Sequence, residues 1–234
     1  MSATAIPSFR KSQESWDASI LPGEANPIAP LLDLAILQTN VQGAYVYRYT
    51  GISAEATVAA FAGPEPENPG RSLPRDLMSL HWNRRTPVVL RSQAASDWRF
   101  SRFPELRAGR FDGMVSVPLL ENSEGVGLAN FCLKGGAPLS AGAVTFLINL
   151  SLPLGTLLAA SALRGQLRRA QQHLADRKVV ERAKGLLQAR FGWTEEETYI
   201  RLRRLSRRSR TPLREIAGLI VESGPEPLWE ALNR

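Results

Sequence analysis

The sequence predicts an α+β front region followed by an all-α back region. Three observations carry this. Between residues 28 and 163 the candidate elements run helix, strands, helix, strands, helix, the order of a mainly antiparallel sheet flanked by helices. Residues 164–187 hold no proline, and Leu163, Leu167, Ala170 and Leu174 follow a 4-3-4 spacing, the seam of a short coiled coil. Residues 179–222 form three short amphipathic stretches with tight breaks, the pattern of a three-helix bundle. The 234 residues are 44% apolar, 7% aromatic and 22% charged, which excludes wholesale disorder and leaves ample material for a core.

Charge divides the chain the same way. Up to Leu163 there are 13 basic and 13 acidic residues; from Arg164 there are 16 basic and 9 acidic, so the whole net charge of +7 sits in the last third. Such asymmetry points to nucleic acid or an anionic membrane as the partner of the back region. One cysteine, Cys132, excludes a disulfide scaffold and a thiolate zinc site, and two histidines, His81 and His173, exclude most histidine-rich metal sites. No metal is expected, and the composition fits a reducing cytoplasm. Residues 1–27, with four prolines and glycines and no apolar block, read as a flexible lead-in and not a signal peptide.

Residues 31–37 read as a short amphipathic helix behind Pro30, and residues 44–49 as an aromatic, β-branched strand ended by Gly51. Residues 57–61 are a second strand, stopped by the turn-rich run 63–70. Residues 74–84 look helical, with Leu77, Leu80 and His81 on one face, and residues 87–90 make a short strand. Along 113–120, Met114, Ser116 and Pro118 alternate with Val115, Val117 and Leu119, the pattern of a half-buried strand. Residues 121–125 read as a hairpin turn and 127–134 as the returning strand, with Cys132 a small buried hydrophobe. Residues 135–163 carry no charge and are long enough to span a bilayer, with Arg164, Arg168 and Arg169 as anchors. Asn149, Ser151, Pro153 and Gly155 make that span polar and breakable, which favours a long helix packed on the sheet, capped by Ser140.

The element order, with Phe111-Asp112-Gly113-Met114-Val115-Ser116-Val117-Pro118-Leu119 and then Gly127-Leu128-Ala129-Asn130-Phe131, resembles the GAF family of small-molecule and signal-sensing domains over about residues 28–165. The resemblance implies an input domain. His81 and Trp82, with Trp98 and Phe100, are the candidate lining of a pocket for an unidentified small-molecule ligand; ordinary core or rim residues are the alternative.

In the back region Val180, Ala183, Leu187 and Phe191 share one face and Gly192 ends that helix. Thr194-Glu195-Glu196-Glu197 has the form of a capping box. The helix it opens runs to about Ser209, with Tyr199, Leu202 and Leu205 as its inner stripe and arginines elsewhere. Thr211 as cap and Pro212 at the first helical position start a third helix, with stripe Leu213, Ile216, Ala217, Ile220 and Val221, stopped at Ser223-Gly224-Pro225.

The run Val180-Glu181-Arg182-Ala183-Lys184-Gly185-Leu186-Leu187 closely resembles the opening of the ANTAR family of RNA-binding transcription antiterminators. The match continues through Gly192, Glu195-Glu196-Glu197, Leu202-Arg203-Arg204 and Pro212-Leu213-Arg214-Glu215-Ile216-Ala217, over residues 175–222. Thr198 and Ser206 stand where the family usually has Ala. The resemblance implies a regulator that binds a pair of small hairpins in nascent mRNA, hinders a competing terminator and so acts on RNA polymerase indirectly. It divides the chain into a flexible segment 1–27, a sensor domain 28–163, a stem 164–178, an RNA-binding domain 179–223 and a tail 224–234.

The basic helical face supplies phosphate attraction independently of that resemblance. The candidate RNA-binding residues are Arg182, Lys184, Gly185, Arg190, Arg201, Arg203, Arg204 and Arg208, with Arg201, Arg204 and Arg208 as one stripe. Phe191, Trp193 and Tyr199 are either stacking groups or core. Gly185 inside a helix costs roughly 1 kcal/mol against Ala, for which close helix contact and RNA approach are both reasons. Leu163, Leu167 and Leu174 would pair two chains in a homodimer or pack on the next helices. No catalytic constellation is present, so an enzyme is not expected, nor is DNA specificity or a membrane partner. The rival readings are a DNA-binding regulator, through the third helix, a protein-interaction module with a GAF-like sensor, and a membrane-anchored sensor through residues 143–163.

Overall fold

Helix α1 (Ala29–Gln38) starts with Pro30 in its first turn, where a missing N–H is no loss, and ends at Thr39, whose Oγ1 donates to the Ala35 carbonyl at 2.6 Å. The computed structural model of the protein describes residues 26–50, 55–66, 86–90, 96–97, 100, 103–107, 109–135, 139–226 and 232. The chain divides into two units, Met1–Gly165 and Gln166–Arg234. The expected helix over 74–84 lies outside the described residues, as do His81, Trp82 and Trp98 and the lead-in up to residue 25.

The first unit is built on strands β1 (Gly43–Thr50), β2 (Glu55–Ala62), β3 (Val88–Leu90), β4 (Gly113–Glu121) and β5 (Glu124–Leu133). They form one sheet in the order β2-β1-β5-β4-β3, with every neighbouring pair antiparallel. The β4–β5 turn is tighter than expected. Only Asn122 and Ser123 lie between the strands, both with left-handed φ (49° and 66°), as a two-residue hairpin requires.

The sheet is covered on both faces, which corrects the half-buried reading of residues 113–120. Val115, Val117 and Leu119 join Ala44, Val46, Ala129 and Phe131 in one cluster, beneath Leu32, Leu147, Leu154 and Leu158. On the other face Met114, Tyr45, Tyr47, Leu128 and Cys132 pack with Phe100, Phe103, Leu106 and Phe111. Ser116 and Asn130 are fully buried on that second face, and Ser116 Oγ donates to Asn130 Oδ1 at 2.7 Å. Polar side chains at alternating positions thus mark a satisfied buried pair, not solvent. A bulge pairs Val46 with Ala60 but Tyr47 with Val58, so Ala59 is the extra residue and the face of β2 side chains switches there.

Ser140 caps α3 (Ala141–Asn149) by accepting from the Ala143 N–H at 3.1 Å. After a break at Leu150, α4 (Ser151–Phe191) runs 41 residues, with Pro153 in its first turn. Two glycines bring its start against the sheet. A Cβ on Gly155 would lie 2.6 Å from the Leu120 carbonyl, and one on Gly127 would strike the Tyr47 carbonyl and come within 2.6 Å of Leu158. Residues 141–191 include a window long and apolar enough to cross a membrane, and 28% of it is buried.

In the second unit the end of α4 packs with α5 (Glu195–Ser209) and α6 (Leu213–Ser223). Their core is Ala183, Leu187, Leu202, Leu205, Ile216, Ala217 and Ile220, joined by Leu232. The segment after residue 223, expected as a tail, therefore contributes a core side chain. Two details differ from expectation. Thr198, not Tyr199, completes the inner stripe: Thr198 stands one turn before Leu202, while Tyr199 is 42% exposed. Helix α6 begins at Leu213 with Pro212 in the cap position, and Thr211 Oγ1 donates to the Ser209 carbonyl instead of capping.

Glu105, on the short helix α2 (Pro104–Arg107), is buried against the second sheet face. Its Oε1 accepts from Tyr47 Oη at 2.7 Å and from Asn130 Nδ2 at 3.4 Å, while Oε2 has no partner among the described residues. Burial raises its pKa above the usual carboxylate value, against the lowering effect of those hydrogen bonds. The unfolded chain ionises at the ordinary value while the folded protein holds the proton longer, so this residue's contribution falls as pH rises through that window. Glu105→Gln keeps the acceptor and removes the titration. Denaturant midpoints at pH 5 and pH 8 should show the variant gaining on the parent at the higher pH; an equal gap at both would refute the assignment.

Candidate nucleic-acid interface

Helix α4 stops at Phe191 because Gly192 takes a left-handed φ of 70°, open to glycine at little cost, and its N–H bonds the Gln188 carbonyl at 2.9 Å. Two residues later the capping box is complete. Thr194 Oγ1 accepts from the Glu197 N–H at 3.2 Å, and Glu197 Oε2 accepts from the Thr194 N–H at 2.9 Å. The Thr194 N–H, together with the Thr194 hydroxyl donating to the same oxygen, holds the Glu197 carboxyl below its usual range. The Phe191 and Trp193 rings lie 4.8 Å apart, and the Arg201 guanidinium sits 4.3 Å over Trp193.

The expected RNA-binding residues separate into three groups. Arg182, Gly185, Arg203, Arg204 and Arg208 are exposed. Arg190 is exposed but ion-paired with Glu226 at 2.9 Å, and Arg201 is half-buried on Trp193 while Nη1 donates to the Leu232 carbonyl at 3.1 Å. Lys184 is buried, at 6% exposure, with Nζ 2.7 Å from Glu195 and 2.9 Å from Glu181. The carboxylates raise its pKa, Glu195 foremost, and Lys184 in turn lowers that of Glu195.

The basic surface of α5 is therefore not the stripe 201-204-208 but two rows, Arg203 with Arg207 and Arg204 with Arg208, each one turn apart. None of the four is within ion-pair distance of a carboxylate among the described residues. Like charges at this spacing repel by a few tenths of a kcal/mol per pair. Their place in the C-terminal half of the helix, toward the negative end of its dipole, offsets part of that.

Thr198 and Ser206 turn to the backbone: Thr198 Oγ1 donates to the Thr194 carbonyl at 2.8 Å, and Ser206 Oγ to the Thr211 carbonyl at 2.7 Å. Phe191 and Trp193 pack at the bundle core, and Tyr199 is exposed beside the arginine rows. In the first unit, Phe100 of the candidate pocket is buried and stacks on Phe103 at 6.2 Å. Sequence reasoning missed Glu105 and its polar partners, and it missed Arg207 and Leu232 as members of these arrangements. The i+4 spacing of Arg207 from Arg203 was the available signal.

Residues 168–221 match the ANTAR domain family. The transcriptional regulatory protein PdtaR of Mycobacterium tuberculosis, in strains CDC 1551 / Oshkosh and ATCC 25618 / H37Rv, is 30% identical over 93 residues, 36% of this chain and 45% of that protein. The chain thus spans less than half the length of these relatives. The GAF domain of the Acinetobacter phosphoenolpyruvate-protein phosphotransferase superposes with a TM-score of 0.50 at 21% identity, covering 58% of this chain and 82% of that one. That likeness shows the fold of the first unit. The first unit thus has a GAF-like fold, and residues 168–221 match the ANTAR domain family.

Proposed function

We propose that the protein is a homodimeric, signal-responsive transcription antitermination regulator that binds paired hairpins in nascent mRNA and so prevents terminator formation. The observation that carries this is the pair of arginine rows on α5, without a carboxylate partner among the described residues, in the stretch that matches the ANTAR domain family. Guanidinium groups without a carboxylate partner among the described residues are suited to phosphate, and RNA loops offer the unstacked bases that exposed Tyr199 could stack on. Arg182 and Gly185 extend the surface on α4. A Cβ on Gly185 would meet nothing within 4 Å, so packing inside the chain does not require the glycine. Close approach by RNA is then the reason for a residue that weakens its helix.

The GAF-fold unit serves as the input domain, and its aromatic second face, with Phe100, is where we place the response to a small molecule. Leu163, Leu167 and Leu174 are 57–67% exposed on α4, and a second copy of the chain is the partner we assign to them. Such a regulator performs no catalytic step and works in the cytoplasm. The DNA-binding alternative is weaker because α6 exposes Glu215 and Glu222 beside Arg214, and Arg214 itself lies 3.8 Å from Asp176.

The test is a titration of the full chain with a labelled two-hairpin RNA and its duplex DNA counterpart at several salt concentrations. Loop-dependent preference for the RNA is expected, and equal affinity for the DNA would overturn the reading. Arg203→Gln and Arg204→Gln should each lower the slope of log affinity against log salt by about 1 per site. Gly185→Ala should stabilise the chain by roughly 1 kcal/mol in thermal or denaturant unfolding. The bulkier Gly185→Leu should weaken RNA binding while the helix content holds. Leu167→Asp together with Leu174→Asp should turn a dimer into a monomer in sedimentation analysis without loss of secondary structure.

A further inference from the structure

Lys184 is the one buried member of the candidate basic set. Its Nζ is within 2.7–3.1 Å of three carboxylate oxygens, two of Glu181 and one of Glu195. Its side chain is 8% exposed, whereas those of Glu181 and Glu195 are 53% and 74% exposed. A phosphate approaching this site meets two outward carboxylates before it meets the ammonium.

The location says what the contact can do instead. Glu195 is the first residue of α5, and the linker from α4 is only residues 192–194. That short turn limits how far α5 can move along α4 but leaves its rotation to side-chain contacts. The shared core of Ala183, Leu187, Leu202 and Leu205 is aliphatic and non-directional. A charge-assisted hydrogen bond at 2.7 Å is directional, and Glu181, three residues earlier on the same helix, holds the lysine from its own side.

We propose that Lys184 is a positioning residue for RNA binding and not an RNA contact: through Glu195 it sets the rotation of α5, so that the arginine rows line up with Arg182 and Gly185 on α4. The inference rests on the RNA-binding reading above. Since successive helical residues point about 100° apart, even a fraction of one residue's rotation would move Arg203 and Arg204 off a shared surface. Both carboxylates already face water, so losing the lysine strands no buried charge and the fold survives.

The test uses the full chain, the same two-hairpin RNA and four variants. Glu195→Gln is the decisive one. As an RNA contact, Lys184 would be released by it, and an acid near the phosphates would vanish, so binding would tighten. As a positioning residue, Lys184 exchanges a charge-assisted hydrogen bond for a weaker neutral one, and binding should weaken by up to roughly tenfold, the scale of coupling between contacting residues. Lys184→Met should weaken binding as much, and the double variant Lys184→Met/Glu195→Gln should be no weaker than either alone. Lys184→Arg, which can still reach Glu195, should bind as the parent does. Glu195→Gln should keep the parent's helix content and cooperative unfolding, so that weaker binding is not a loss of fold. Tighter or unchanged binding by Glu195→Gln overturns the assignment, as does strict additivity in the double variant. A parent chain that binds no hairpin RNA overturns the underlying functional reading instead.

Discussion

A 41-residue helix has to end at Phe191 for the second unit to exist. Without that stop α5 would continue the helix axis, and the apolar stripe of Ala183 and Leu187 would have no partner. Gly192 makes the stop cheap by taking a left-handed φ, and Thr194 with Glu197 makes the restart immediate by satisfying the first free amides of α5. Leu202 and Leu205 then meet Ala183 and Leu187, and α6 closes the cluster with Ile216, Ala217 and Ile220. The bundle is small, so interactions at its joints matter more than they would in a large domain. Phe191 against Trp193, Arg201 over Trp193, and Lys184 to Glu195 all lie at that one joint.

The charges of this unit are sorted by what surrounds them. Lys184 is desolvated and held by two acids, and Arg201 rests on an aromatic face with a backbone carbonyl at its tip. Arg190 faces Glu226 with both side chains about 60% exposed, a pair worth at most about 1 kcal/mol and further reduced by salt. Among the described residues the arginines at 203, 204, 207 and 208 have no carboxylate partner, and their mutual repulsion costs the isolated helix something at every i,i+4 contact. Net positive charge alone would not separate these roles. Geometry does, and it leaves the α5 rows as the part of the basic surface that an external anion would neutralise at no cost to the fold.

Much of this was legible in the sequence because it depends on local patterns. Gly192, the capping box, the Ser140 cap, the β4–β5 hairpin and the core stripe of α6 each follow from residues within a few positions of one another. What was not legible depends on partners far apart in the chain or on small rotations. Glu195 lies 11 residues from Lys184, so no periodicity joins them, and the lysine reads as one more cation. Tyr199 and Thr198 differ by one position, and hydropathy favours the tyrosine for the core although the helix places the threonine there. Ser116 and Asn130 look like an exposed face because their burial depends on each other across β4 and β5, and on Glu105 arriving from α2. His81, Trp82 and Trp98 lie outside the described residues, so Phe100 is the one candidate pocket residue with a known environment.

The run Ala183-Lys184-Gly185 condenses the logic of the unit. Three successive helical positions point in three directions about 100° apart. Ala183 is fully buried, small enough for α4 to lie close to its neighbours. Lys184 lies at the edge of the core, where its stem is covered and its ammonium can reach the first residue of α5. Gly185 faces open space, where a side chain would cost the fold nothing and where its absence weakens the helix. Among the described residues nothing packs where a Gly185 side chain would stand, which is the opening the proposed RNA contact uses. The three positions thus differ in surroundings as their directions require: one packed, one paired with Glu195 and one open.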